Sequence, residues 1–389
     1  EKHPACRQTR NLQMRQRLRF FLLIIIMFAL PNITVAQIFT TPIQQIDLLF
    51  AGDIMQHETQ LNMARMESGE YSFSYCFRHI SPLVKEADIS VANLETTIGK
   101  SGYSGYPSFC APDSFLHAIK DAGFKVLLFA NNHCMDKGKR GALHTLDMLD
   151  SLKITHCGVY RNEKERAERY PLIIEEKGVR VAILNYTYST NGREIPAPMV
   201  VNIIDKEVIA RDIQAAREMR PDAIIACMHW GDEYISLPPQ RIKELSNWLI
   251  EQGVHHIIGN HPHVVQPIEI RESGNTPDRH VVAYSTGNLV SNMSLRKTDG
   301  GIIIAMKLRK ILNYTRPLDV RYLLTWIAPK ASNGKRDFTI YPAATTEIED
   351  WDFAEQKRRL FINDSRSLFE KHNKGEIREM YIDTVRVIQ

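Results

Sequence analysis

Short apolar runs that end in asparagine, aspartate, glutamate or histidine recur through the chain, and this repetition constrains the fold more than any single motif does. The clearest is 254–258, which leads into Gly259-Asn260-His261-Pro262-His263. Runs of the same kind occupy 46–51, 88–92, 126–130, 154–157, 181–185, 223–228, 281–284 and 301–308. Short runs of consecutive apolar residues read as strands buried on both faces. Between them lie segments with helical spacing: 112–122 with Leu116 and Ile119, 141–152 with Leu143, Leu146 and Leu149, 206–220 with Ile209 and Ile213, and 238–252 with Ile242, Leu245 and Leu249. Gly123 and Gly253 follow two of these, as glycine does past a helix C terminus. Strands alternating with amphipathic helices predict an α/β sheet covered by helices.

In open α/β sheets ligands bind beyond the carboxyl ends of the strands. Asp53, Glu95, Asn132 with His133, His229, and His261 with His263 all follow such runs, so they are predicted to meet at one edge of one sheet. Singly, each has an ordinary reading. Asp53 after Gly52 caps a helix, Glu95 is an exposed charge, Asn131-Asn132 forms a left-handed turn, and His229 beside Trp230 is a satisfied core histidine. Jointly these readings require a coincidence at every strand end, and a metal site accounts for them all.

Carboxylate, amide oxygen and imidazole are ligands for Zn, Mn or Fe. A pair of metals sits about 3.5–4 Å apart around a bridging group. With Asp53 or Glu95 as the bridge, His229 and His261 complete one site, and His263 with the other carboxylate the second. His57, four residues beyond Asp53, is a further candidate ligand. His133 is left as a general acid, opposite a metal-bound hydroxide attacking phosphorus or a carbonyl. Asp232 and Glu233 read as a solvated loop or as support for the ligands. Gly287-Asn288 offers backbone N–H groups to an anion. The long loop 99–112, carrying Tyr103, Tyr106 and Phe109, is either a cover for the site or a disordered connection.

The motifs Ala51-Gly52-Asp53-Ile54-Met55, Asn93-Leu94-Glu95, Ala130-Asn131-Asn132-His133, His229-Trp230-Gly231, Gly259-Asn260-His261-Pro262-His263 and Ser285-Thr286-Gly287-Asn288 resemble, in this order, those of the CapA-type poly-γ-glutamate capsule-synthesis family. That family is similar to the calcineurin-like metallophosphatases. The resemblance implies a metallophosphatase-like four-layer α/β/β/α sandwich over 46–308, with a small C-terminal extension over 309–389. It implies Asp53, Glu95, Asn132, His229, His261 and His263 as ligands of one or two divalent ions (Mn, Zn or Fe) and His133 as the phosphatase acid. The sequence departs from the phosphatase pattern at three points: His57 stands four rather than two from Asp53, Glu95 replaces the bridging aspartate, and Asn131 replaces a glycine.

The function expected from this is a metal-dependent hydrolase or transferase acting on a phosphoester or a γ-glutamyl polymer. The alternative is a non-catalytic subunit that binds polyanionic polymer for a membrane-bound synthase or export complex. Export to the periplasm or cell surface follows from 14–36, where Arg15, Arg17 and Arg19 precede an apolar core and Thr34-Val35-Ala36 forms a small-residue cleavage site. An uncleaved anchor is the other reading of that segment, and residues 1–36 are assigned to it as a whole. The net charge of +4 owes much to the arginines near the N-terminus, and no basic run is interleaved with aromatics, so nucleic acid is excluded as a partner. Cys76, Cys110, Cys134, Cys157 and Cys227 form no CxxC pair and are predicted to be buried free thiols.

Overall fold

A computed structural model describes residues 43–272, 279–312, 314–328, 338–344 and 352–382. The expected signal or anchor at 14–36 lies outside the described residues. Among the described residues, no helix is long and apolar enough to cross a membrane.

The apolar runs do become strands, in two large sheets rather than one. The strands Ile340–Pro342, Tyr314–Ile327, Gly300–Ile311, Gln44–Ile54, Ile89–Leu94, Val126–Leu128 and Thr155–Cys157 lie side by side in that order, and with Asn288–Val290 and Arg378–Glu379 they make a nine-stranded sheet among the described residues. The second sheet, six-stranded among the described residues, runs Ile268–Glu272, Arg279–Ala283, His256–Asn260, Ala223–His229, Val179–Thr187 and Leu172–Glu176. Its four central strands are mutually parallel and its two edge strands antiparallel.

Alternation along the strands sorts their side chains into layers. Leu48, Phe50, Val91 and Ile304 join the residues of the six-stranded sheet in one core between the sheets. Leu49, Ala51, Ala92 and Ile303 point the other way, onto Leu61 of the helix Glu58–Ala64, Leu116 of Asp113–Asp121 and Leu146 of Gly138–Ser151. The helices Lys206–Glu218 and Gln240–Glu251 cover the far face of the six-stranded sheet through Ile209, Ile213, Ile242 and Leu249. Helices, sheet, sheet and helices make four layers.

The segment 309–389 supplies Tyr314–Ile327, which pairs with Gly300–Ile311 from Tyr314 to Trp326. It also supplies the helix Asp352–His372, whose Phe361 and Phe369 enter the inter-sheet core. The five cysteines named above are free and buried.

Candidate metal centre

Two sheets, not one, deliver the expected side chains to a common place. Asp53 comes from within Gln44–Ile54, whereas the apolar run in the sequence ended at Ala51, before Gly52, and allowed Asp53 to cap a helix. The strand passes close to Gly287: a Cβ on Gly52 would lie 2.0 Å from the Gly287 oxygen, so only glycine lets the Asp53 N–H reach that oxygen at 2.9 Å. The pairing register shifts on both sides of Asp53, an irregularity of the kind that re-aims a side chain at the rim of a sheet. Glu95 follows Ile89–Leu94, and Asn132 and His133 lie beyond Val126–Leu128. His229 ends Ala223–His229, and His261 and His263 follow His256–Asn260.

Five of these residues form two triads whose potential ligand atoms all lie within 4.8 Å of one another: Asp53, Glu95 and His229, and Glu95, His261 and His263. Glu95 belongs to both. The grouping differs from the one drawn from the sequence, since His261 shares its triad with His263 and His229 sits with the two carboxylates. Asn132 joins the first group, its Oδ1 lying 2.8 Å from His229 Nε2, which is itself 3.5 Å from Glu95 Oε1. His263 places Nδ1 3.2 Å from Asp53 Oδ2 and 3.0 Å from Asn288 Oδ1, with Nε2 3.8 Å from Glu95 Oε1.

His57 stands outside both triads. Its Nδ1 accepts the Asn292 N–H at 3.2 Å, and its ring packs edge-on against Phe109. Three residues between Asp53 and His57 carry the chain out of the strand to the start of Glu58–Ala64, which takes the imidazole away from the carboxylates.

Burial sets the electrostatics. It holds His229 well below the usual histidine range, and the neighbouring His261, His263 and His133 press it further the same way. His261 is pulled down to about 3 by burial and then by His263. Both are neutral at pH 7, the form in which imidazole binds metal. Burial pushes Glu95 well above the usual carboxylate range, and adjacent Asp53 adds to it. Glu95 Oε1 and His261 Nδ1 are buried without a hydrogen-bond partner. Orphaned acceptors beside two crowded carboxylates are what a divalent cation would satisfy, so the donor set fits the ion.

His261 and His263 carry φ of +100° and +57° on either side of Pro262. Non-glycine residues in this region cost about 1–3 kcal/mol each, and such outliers cluster at ligand sites. The turn that aims both rings at Glu95 is held in place against this strain.

Several supporting residues escaped the sequence reading. Asn93 donates through Nδ2 to Asp53 Oδ1 at 2.8 Å and to Glu95 Oε2 at 3.2 Å, and its own Oδ1 accepts from Asn131. It stood inside a quoted motif but points the same way as Glu95 only because residues two apart share a strand face. Asp136 Oδ2 lies 2.7 Å from His133 Nδ1; the i, i+3 spacing was the available signal. Tyr188, just beyond Val179–Thr187, lays its ring 4.5 Å from that of His261 and remains 40% exposed at the mouth of the site.

Other expectations resolve differently. The Gly287 N–H is taken by Ser285 Oγ at 3.2 Å, and Asn288 orients His263 instead of offering a nest to an anion. Asp232 bonds Arg241 at the surface. In the 99–112 loop, Phe109 is buried against His133 at 4.6 Å between ring centroids, and its N–H donates to Asp136. That loop is fastened to the site, with Tyr106 exposed at its tip.

The chain is similar to the NAD nucleotidase of Haemophilus influenzae, with 14% identity and a TM-score of 0.45 over 90% of this chain and 60% of that one. It is similar also to the calcineurin-like phosphoesterase YfkN of Bacillus subtilis, with 14% identity and a TM-score of 0.40 over 85% of this chain and 99% of that one. In sequence it is 27% identical over 291 residues to the capsule biosynthesis protein CapA of Bacillus anthracis, covering 71% of this chain and 67% of that protein. It is 26% identical over 276 residues to the PGA biosynthesis protein CapA of Bacillus subtilis, covering 67% of each. Residues 47–293 match the bacterial capsule synthesis protein family PGA_cap, and the chain belongs to that family.

Proposed function

We propose that the protein is an exported, metal-dependent hydrolase or transferase that acts on a phosphoester or on a γ-glutamyl polymer. The observation carrying this reading is the pair of triads that share Glu95, whose Glu95 Oε1 and His261 Nδ1 are buried and unsatisfied. Asp53, Glu95, Asn132 and His229 would hold one ion, and Glu95, His261 and His263 a second; Mn, Zn and Fe all suit this donor set. Such ions supply Lewis acidity and a nucleophile usable at neutral pH.

The protein's own groups do the rest. Asp136 accepts the Nδ1–H of His133 and fixes the ring, so in the doubly protonated ring the Nε2–H is the proton available to a leaving group. Asn93 holds Asp53 and Glu95 in place through one amide. Phe109 packs on His133 with the two rings at 71°, which helps to hold the imidazole in place.

The test is metal analysis of the purified protein, followed by phosphodiesterase and γ-glutamyl hydrolase assays with and without chelator. Bound metal with chelator-sensitive turnover that His261→Ala abolishes is the expected result. Metal without turnover on either substrate class would point to the accessory reading, a polymer-binding subunit of a membrane-bound synthase or export complex. Absence of metal would overturn the enzyme reading and leave the accessory one, which does not require the ion.

A further inference from the structure

Most of the residues around a second cavity lie beyond the family match. Among the described residues this cavity, of about 410 Å³, opens between the segment 291–299, the end of the strand Tyr314–Ile327 and the helix Asp352–His372. Trp326, Ile327, Phe338 and Phe361 form buried apolar walls, and Leu295 and Leu360, 57% and 43% exposed, stand at its lip. Gly300 makes room for one wall, since a Cβ there would lie 2.7 Å from Phe361 Cζ. A volume within about 300–1,000 Å³, lined mainly by apolar side chains with a few polar groups, is that of a small-molecule pocket. Large apolar side chains left exposed around such an opening mark a surface that something apolar covers.

The charges around the cavity decide what kind of ligand fits. Arg296 holds Asp364 through two hydrogen bonds, at 2.7 and 2.6 Å. Asp299 accepts the Trp326 indole N–H at 3.1 Å, and the charge of Lys357 acts on the same carboxylate. Lys297 pairs with no carboxylate among the described residues, and its ammonium donates to Ser236 Oγ at 3.1 Å. Its backbone sits at φ +76°, a left-handed conformation that is unfavourable for lysine and that recurs at ligand sites. One cation without a counter-charge, at the rim of an apolar cavity, suits a ligand with one negative charge and an apolar body. A cationic ligand would instead face Arg296, Lys297 and Lys357 with Asp299 as the single carboxylate lining the cavity. The walls mix aliphatic and aromatic side chains, which an alkyl chain follows without the fixed stacking geometry that a ring requires.

We propose that this cavity binds a single-chain anionic amphiphile of the fatty-acid class, with its carboxylate on Lys297 and its alkyl chain against Trp326, Phe338 and Phe361. The inference goes beyond the metal-centre reading and does not depend on it, since no residue lining the cavity belongs to either triad.

The experiment titrates decanoate into the protein by calorimetry, below the concentration at which it forms micelles. Decyltrimethylammonium supplies the same chain under the opposite charge. Wild type should bind one equivalent of decanoate saturably, and the cationic amphiphile about tenfold more weakly or not at all. Lys297→Gln should weaken decanoate binding about tenfold, the worth of one charge-assisted contact. Leu360→Asp removes apolar surface from the lip and sets a negative charge there, so it should weaken binding by at least as much; Leu295→Asp replaces it if thermal melting shows that it does not fold. Lys120→Gln, an exposed lysine on the helix Asp113–Asp121, should bind decanoate as wild type does. Failure of wild type to bind, equal binding of the two amphiphiles, or undiminished binding by either the Lys297 or the lip variant overturns the proposal. His261→Ala should lose metal and keep decanoate, so failure of the metal centre and failure of this cavity are read separately.

Discussion

His229 Nε2 lies 2.8 Å from Asn132 Oδ1, a contact that joins the six-stranded sheet to the nine-stranded one at the candidate metal centre. The centre is therefore a seam, and changes to its residues should be read in metal content and stability as well as in rate.

Glu95→Gln keeps the shape of the shared ligand and removes its charge, so metal content should fall to background while the fold persists. The metal-free proteins differ in pH response. Folded Glu95 titrates above its ordinary 4.5, so as pH rises past that value it keeps a proton that the unfolded chain has lost. Stability of metal-free wild type then declines with rising pH. The glutamine variant should lack this decline, as urea titrations in chelator would record.

The positive φ of His261 separates its two simplest replacements. In chelator, His261→Gly should be about 1 kcal/mol more stable than His261→Ala, because glycine accepts the left-handed backbone that alanine resists. Both should lose metal. Equal stability of the two by denaturant melting would show that the turn stores no strain.

Asp136→Asn leaves metal ligands untouched and alters the partner of His133 Nδ1. Turnover of whichever substrate proves active should fall about 10²–10⁴-fold with metal content unchanged. A variant that loses metal instead would make Asp136 a structural support of the centre.

Asp150 offers a pH test away from the site. Partial burial raises its pKa, but hydrogen bonds from Arg169, His156 and Arg161 win and bring it down to about 2. A depressed carboxylate contributes stability above its unfolded value of 3.8, and loses it as pH falls from there toward 2. Asp150→Asn should cost about 1 kcal/mol at neutral pH, given a half-exposed network. The gap from wild type should close as pH drops through that window.

The strands and the helix-covered architecture were legible because consecutive apolar residues such as 223–228 have few other uses. Their division between two sheets was not. A run buried on both faces, such as Ala223–His229 or Ile89–Leu94, carries no mark of which neighbour it will pair with. The edge strands Leu172–Glu176 and Ile268–Glu272 passed unnoticed because charged, partly exposed residues interrupt their apolar pattern. At the site, residue types at strand ends pointed to the place, but not to the partition of imidazoles between triads. That partition depends on the left-handed turn at His261 and His263, which no spacing reveals. Asp136 and Asn93 matter through what they orient, and a sequence read for ligands passes over such residues.

The family match ends at residue 293, short of the antiparallel pair Gly300–Ile311 and Tyr314–Ile327. A fragment trimmed to the matched span, 47–293, would strip the flank of the strand that carries Asp53, baring a row of backbone donors and acceptors from Asp47 to Phe50. Such a fragment would be sticky toward other chains and would present its aspartate from a frayed margin, so the unit fit for expression extends well past the part by which the family is known.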